Sequence, residues 1–153
     1  ELAKCPGLQA AKDRIDADRN GSLSEAEISA RLAAYGKNSA PLTPLRCQVL
    51  LGGQPLAGVQ VTLVPERFLG EAISTAGGVT DVAGNALLSI SEFSQQGYSG
   101  VFCGLYRVQI SDTDPSGRER LPAKYNAETI LGQEVAPDVR ELEHGVVWNL
   151  SGR

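Results

Sequence analysis

The spacing of apolar residues changes from a helical period to a strand period near residue 40. Before that point, apolar side chains recur three or four positions apart: Leu8, Ala11, Ile15, Ile28, Leu32 and Tyr35. The stretch GKNSAPLTP then brings a glycine and two prolines, which stop a helix. The pattern predicts a helix–loop–helix unit at residues 1–39 and a short linker at residues 40–44.

After residue 45, apolar and polar residues alternate in short runs between turns rich in glycine, proline and aspartate. Six runs are predicted strands: LRCQVLL (45–51), VQVTLVP (59–65), GGVTD (77–81), NALLSI (85–90), LYRVQIS (105–111) and GVVWNL (145–150). No helical segments alternate with them, so the strands are expected to pair antiparallel. The predicted fold class is mainly β, an antiparallel immunoglobulin-like sandwich of about seven strands over residues 45–153.

The composition is typical of a globular protein, with 42% hydrophobic and 21% charged residues in a chain of 153. The net charge is −4 and the basic residues are scattered, which argues against a surface for nucleic acid. No apolar run reaches the roughly 18 residues that a membrane span needs. The chain begins at Glu1 and contains no methionine, which is typical of a mature or excised fragment.

The stretch DADRNGSLSEAE, residues 16–27, places oxygen-bearing side chains at alternate positions and ends on a glutamate. Calcium takes about six to eight oxygen ligands, and a twelve-residue loop supplies them from positions 1, 3, 5, 7, 9 and 12. The predicted ligands are Asp16, Asp18, Asn20, Ser22 through its carbonyl, Ser24 through water, and Glu27 through both carboxylate oxygens. Gly21 stands at the sharp turn and Leu23 at the apolar anchor position. This EF-hand pattern predicts one calcium ion per chain, with a solvated acidic loop as the alternative.

A second loop of the same kind would be a natural partner for the first. DTDPSGRERLPA, residues 112–123, matches only in part, because Pro115 intrudes and Ala123 stands where a glutamate is needed. We predict a β-hairpin loop at Asp112–Arg118 instead. The apolar faces of the two helices must then pack on the sandwich, on another copy of the chain, or on a preceding segment.

Catalytic residues are scarce in this sequence. The single histidine, His144, lies in the polar run RELEHG and is expected to be a solvated turn residue. No spacing places it beside a thiol, and no glycine-rich loop opens a helix after a strand. The aromatic residues are expected to pack in the core or at its rim: Phe93, Phe102, Tyr106 and Trp148. The residues therefore predict a protein that is not an enzyme.

Three strand segments together resemble a known family. GGQPLAGVQVTLVPE, GGVTDVAGNALLSI and GLYRVQIS are similar to the carboxypeptidase regulatory-like, or transthyretin-like, β-sandwich of bacterial secreted and surface proteins. The resemblance covers about residues 45–150, including LPAKYNAET and VVWNL. It implies the sandwich fold and a non-catalytic accessory or adhesion module. Hydroxyisourate hydrolases and intradiol dioxygenases share related sandwiches, but this chain lacks the several histidines that they use.

The resemblance also implies export, to an extracellular, periplasmic or cell-surface location. Calcium is millimolar outside the cell, so a weak site would stay filled and the ion would be structural. Such a compartment permits a disulfide, for which Cys47 with Cys103 is the expected pair. The alternatives are a bond from Cys5 to the sandwich, or three reduced thiols.

The expected function is that of a non-catalytic calcium-binding module, with calcium as a structural clamp in adhesion or protein interaction. Expected partners are other domains of a longer chain or extracellular proteins. A carbohydrate- or peptide-binding sandwich is the first alternative, although only 5% of the residues are aromatic. A calcium-dependent regulatory module is the second, in which the ion would move the helices.

Overall fold

The strands form two packed sheets in a computed structural model that describes residues 4–37, 42–71 and 73–152. The eight strands are β1 (Leu45–Leu51), β2 (Gln54–Pro55), β3 (Gln60–Pro65), β4 (Ala76–Val79), β5 (Asn85–Leu88), β6 (Gly104–Ser111), β7 (Gly132–Val135) and β8 (Val146–Leu150). The predicted β-sandwich is confirmed. Residues 1–3 and 38–39 of the predicted helical unit, 40–41 of the predicted linker, and 153 lie outside the described residues.

Strand β1 is the centre of the first sheet, with β2 and β5 antiparallel on one side and β8 parallel on the other. The second sheet has the order β4-β3-β6-β7 and is antiparallel throughout. A bridge between Gly77 and Ser89 joins one edge of each sheet. The parallel pairing of β1 with β8 differs from the antiparallel pairing predicted for the strands. It is possible because the long chain between them provides the crossover that parallel neighbours require.

The main core lies between the two sheets. Strands β1 and β8 alternate buried and more exposed positions, as a strand with one face on the core must. Tyr106 is fully buried and Trp148 nearly so, while Phe93 and Phe102 meet edge to face with ring centroids 5.7 Å apart. The expected packing of these aromatic residues in the core or at its rim is confirmed.

Two strands were missed by the sequence pattern, the very short β2 and the edge strand β7. Strand β7 has the sequence GQEV, in which a glycine and two polar residues hide the strand period. The predicted hairpin loop at Asp112–Arg118 is confirmed, because Thr113 bridges Glu119 in antiparallel fashion across it.

The N-terminal helices lie on the outer face of the second sheet. The α-helices within the described residues are α1 (Pro6–Ala10), α2 (Lys12–Ile15), α3 (Glu25–Gly36), α4 (Ser91–Ser94) and α5 (Glu141–His144), with 3₁₀ turns at Arg67–Leu69 and Ala123–Tyr125. A second apolar cluster joins Leu8, Ala11 and Ile15 to Leu105 of β6. The sandwich is therefore the surface on which the helical faces pack. None of the described helices is long and apolar enough to cross a membrane.

Helix α1 approaches the sheet so closely that backbone meets backbone. A Cβ atom on Gly132 of β7 would lie 1.8 Å from the carbonyl oxygen of Pro6, so any side chain there would displace the helix. A Cβ on Gly7 would lie 2.7 Å from the backbone of Tyr106. The amide of Gly7 donates a 2.7 Å hydrogen bond to the buried carboxylate of Glu66.

Candidate metal centre

The acidic loop connects α2 to α3, and a capping box fixes its C-terminal end. The hydroxyl oxygen of Ser24 accepts from the Glu27 amide at 3.2 Å, and Glu27 Oε2 accepts from the Ser24 amide at 2.9 Å. This reciprocal pair satisfies two amides at the start of α3 that have no partner within the helix. The carboxylate of Glu27 is thereby held over the loop.

The N-terminal half of the loop folds around its own side chains. Asp16 Oδ2 accepts from the Gly21 amide at 2.8 Å, and Asp16 Oδ1 accepts from the Asn20 amide at 3.1 Å. The side-chain oxygen Oδ1 of Asn20 in turn accepts from the Ser22 amide at 2.8 Å. Gly21 has a φ of 80°, so the chain turns where the sequence predicts a turn.

Three of the predicted ligands converge. Asp16, Asp18 and Glu27 each offer a carboxylate oxygen, and these oxygens lie within 4.8 Å of one another. Glu27 Oε1 also accepts from the Ala17 amide at 2.9 Å, which joins the two ends of the loop. A carboxylate oxygen has two lone pairs, so one that accepts a hydrogen bond can also bind a cation. An all-oxygen donor set of this kind suits a hard cation such as calcium.

The other three predicted ligands shape the loop. The Asn20 side chain donates to Asp18 Oδ2 at 2.8 Å, and the Ser24 hydroxyl donates to Glu27 Oε2 at 2.8 Å. Ser22 contributes its amide to Asn20. The structure thus places all six predicted residues in one loop and brings the three carboxylates among them together.

The loop favours negative charge at its closing residue. The amide and hydroxyl of Ser24 lower the pKa of the Glu27 carboxyl below its usual value, with smaller contributions from the Ala17 and Asp18 amides. Glu27 therefore stays ionised at neutral pH, which is the form that binds a cation.

A residue that sequence reasoning missed lies between these helices and the sheet. Glu134, on the outer face of β7 opposite Leu105, has no solvent-exposed surface. Its Oε2 accepts from Arg14 Nε at 2.5 Å, and its Oε1 accepts from Arg31 Nε at 2.5 Å. Tyr35 donates its hydroxyl to the same Oε1 at 2.7 Å. Both arginines thus meet one buried carboxylate, which satisfies its charge.

The donors to Glu134 hold their protons firmly. Arg31 also makes two hydrogen bonds to Asp138, of 2.7 and 2.8 Å, and this contact is the main cause that raises the pKa of Arg31. Burial, followed by the charge of Glu134, raises the pKa of the Tyr35 hydroxyl. For Arg14, burial lowers the pKa, but the hydrogen bond to Glu134 and the nearby carboxylates outweigh it and the net direction is upward.

A shallow groove of about 600 Å³ lies over the first sheet, and its lining includes both His144 and Cys47. The thiol of Cys47 is buried, and this burial raises its pKa to about 12. A thiol of that pKa stays protonated at neutral pH and is a poor nucleophile. The described lining includes no aromatic side chain that could stack on a sugar ring.

The expected disulfide between Cys47 and Cys103 is not present among the described residues. Cys103 Sγ lies 3.8 Å from the Thr43 hydroxyl, and four residues of extended chain, about 13 Å, separate Thr43 from Cys47. Val101 bridges Thr43 in antiparallel fashion, so the chain from Val101 to Cys103 runs away from Cys47. Disulfide geometry needs Cα atoms within about 7 Å, and the fold keeps these two cysteines farther apart.

Comparison with protein-family models, with curated proteins and with solved structures finds no match to this chain. The likeness of the strand region to transthyretin-like sandwiches therefore stays a prediction from its motifs.

Proposed function

We propose that this protein is a non-catalytic calcium-binding module in which one calcium ion stabilises the helical layer on the β-sandwich. The observation that carries the proposal is the convergence of Asp16, Asp18 and Glu27 within a twelve-residue loop. Three carboxylates repel one another when no cation is present, so a divalent ion relieves that repulsion. The remaining oxygens would come from Asn20, Ser22, Ser24 and water.

Calcium fits this loop better than magnesium or a transition metal. All candidate donors are oxygens, whereas zinc and copper favour imidazole and thiolate ligands. Magnesium demands near-ideal octahedral geometry, while Glu27 offers two oxygens of one carboxylate, which suits the larger and more flexible calcium shell. The loop also lies at the surface, where an ion can enter and leave.

A calcium ion would act as a clamp because it joins the end of α2 to the start of α3. Helix α3 has twelve residues and none of them is fully buried, so packing alone holds it weakly. Asp16 follows α2 directly and Glu27 lies in the first turn of α3. A cation bound to Asp16 and Glu27 holds the adjoining ends of α2 and α3 together, so the two helices cannot move apart.

The assignment to a secreted or cell-surface protein, with an adhesion or interaction role, rests on the family resemblance of the strands. In the groove over the first sheet, burial keeps the thiol of Cys47 protonated, which disfavours it as a nucleophile. The described lining carries no Phe, Tyr or Trp, which disfavours the alternative of a carbohydrate-binding sandwich. An extracellular module of this type needs only an affinity of about 0.1–1 mM to be filled. Structural calcium is therefore favoured over a sensor.

Calorimetric titration of the chelator-treated protein with calcium, and with magnesium as a control, tests the proposal. One calcium ion per chain is expected, with binding weakened about tenfold or more in Glu27→Gln because a bidentate charge is lost. Glu25→Gln is the matched control, since it removes the same charge from the same helical turn and is not one of the predicted ligands. Absence of calcium binding at millimolar concentration, or equal affinity of Glu27→Gln and the wild type, would contradict the proposal.

A further inference from the structure

The attachment of the acidic loop to the sandwich is concentrated on one carboxylate. Glu134 is completely buried, although it lies on the outer face of an edge strand. An ionised carboxylate at such a position is stable only if its lone pairs are satisfied. The three donors that satisfy it come from α2 and α3, the two helices that flank the loop.

The two arginines bracket the loop in sequence. Arg14 precedes the first predicted ligand by two residues, and Arg31 follows the last by four, which is about one helical turn. Arg14 binds Oε2 and Arg31 binds Oε1, so each end of the loop is tied to a different oxygen of the same side chain. The separation of the loop ends is therefore set by a residue of the sheet.

Besides these contacts, Arg31 binds Asp138 and Glu27 binds the Ala17 amide, but apolar packing holds α3 only weakly. Its apolar residues Ile28, Leu32 and Tyr35 are only partly buried against the second cluster, whereas Ala11 and Ile15 on the other side of the loop are fully or almost fully buried. The position of Glu27 relative to Asp16 thus depends strongly on the polar contacts of Arg31 and Tyr35. A ligand set whose geometry is fixed in advance loses less conformational entropy when the cation binds.

We infer that Glu134 is a positioning residue for calcium. Through Glu134 the β-sandwich sets the calcium affinity of the loop, although the sandwich contributes no ligand to the ion. This inference rests on the proposed function. Thermodynamic reciprocity then requires that calcium in turn strengthens the docking of α2 and α3 on the sheet. The ion and the buried carboxylate act on the same two helices from opposite sides.

The test compares calcium dissociation constants of the full chain in four forms: wild type, Glu134→Gln, Tyr35→Phe and Glu143→Gln. Glu134→Gln should weaken calcium binding about tenfold, in the range typical of groups that orient metal ligands. Tyr35→Phe removes one donor and no charge, so it should weaken binding about two- to threefold. Glu143→Gln is the matched control on exposed α5 and should stay within about twofold of the wild type.

A second readout needs no calcium. In calcium-free protein, amide hydrogen exchange of α3 should be faster in Glu134→Gln than in the wild type, while exchange in β3 and β6 stays unchanged. If Glu134→Gln does not fold, Tyr35→Phe carries both measurements by itself. Equal exchange of α3 in wild type and variant would overturn the positioning role.

Positioning must also be separated from charge, because Glu134→Gln leaves two arginines near the cation without their buried partner. In about 1 M salt the Debye length falls to about 3 Å and such repulsion is screened. We expect Glu134→Gln to bind calcium more weakly than the wild type at high salt as well. Equal calcium affinities of the two proteins at high salt would overturn the inference. Wild-type affinity in Glu134→Gln would also overturn it and leave the proposed function intact, whereas a wild type that binds no calcium would end both.

Discussion

The sandwich and the helical layer are held together by different forces. The sandwich has a continuous apolar core between its sheets, with fully buried residues such as Leu63 and Val108. The helical layer has a small apolar cluster under α1 and α2, and a polar attachment at Glu134 under α3. Burial of apolar surface is non-directional, whereas hydrogen-bonded ion pairs fix orientation. The sandwich is therefore expected to supply stability, and the polar attachment to supply the geometry of the loop.

Removal of a core side chain should have the largest effect and should unfold both regions. Leu63 is fully buried on β3 between β4 and β6, so Leu63→Ala should lower the free energy of unfolding by about 2–5 kcal/mol. Urea unfolding followed by circular dichroism measures this change, with the half-exposed Leu87→Ala on β5 as control at about 0.5 kcal/mol or less. If the helical layer stayed folded after the sandwich unfolds, the expected dependence of the helical layer on the sandwich would be contradicted.

A smaller effect, confined to one region, is expected at the contact between α1 and β7. Gly132→Ala places a methyl group against the backbone of Pro6, so docking of α1 should weaken by about 1–3 kcal/mol while the sandwich stays folded. Hydrogen exchange should rise in α1 and α2 but not in β1. Gly36→Ala is the control, because its Cβ would meet open space within a helix. Equal protection of α1 in Gly132→Ala and in the wild type would show that this close approach is not needed.

The smallest effect concerns pH and Glu66, which binds α1 through the Gly7 amide. Burial raises the pKa of Glu66 above its ordinary value near 4.5, although the Gly7 amide and Arg107 oppose the shift. The folded state therefore binds this proton more tightly than the unfolded state, and the associated stability is lost as pH rises through the folded pKa. The free energy of unfolding of the wild type, measured relative to that of Glu66→Gln, should fall as the pH rises from 4 to 7. If the difference in unfolding free energy between the wild type and Glu66→Gln stayed constant across this pH range, the raised pKa of Glu66 would be contradicted.

The sequence alone was sufficient for those parts of the molecule that follow a local rule. The calcium ligands are predicted from oxygen donors, Gly21 and Glu27 at fixed positions in a short stretch, and three of the predicted carboxylates lie together in the structure. All six predicted strands overlap an observed strand for more than half of their length, because their apolar positions alternate and turns separate them. The strand predicted at residues 77–81 overlaps β4 at residues 77–79 only.

The missed features depend on contacts between residues that are far apart in sequence. Glu134 has no local sequence signal for burial, which depends on Arg14, Arg31 and Tyr35 at 120, 103 and 99 positions away. Strand β7 was missed because it is short and Val135 is its one apolar side chain among GQEV. The expected disulfide was wrong because strand register, which local sequence does not fix, places Cys103 away from Cys47.

The most direct test of the central claim is amide hydrogen exchange of the wild-type protein in calcium and in chelator, read separately for α3 and for the sandwich strands. Calcium should slow exchange in α3 and the loop strongly, while β1, β3 and β6 change little, because the ion clamps a layer that the core holds weakly. Equal exchange of α3 with and without saturating calcium, in a sample where calorimetry records binding, would contradict the account.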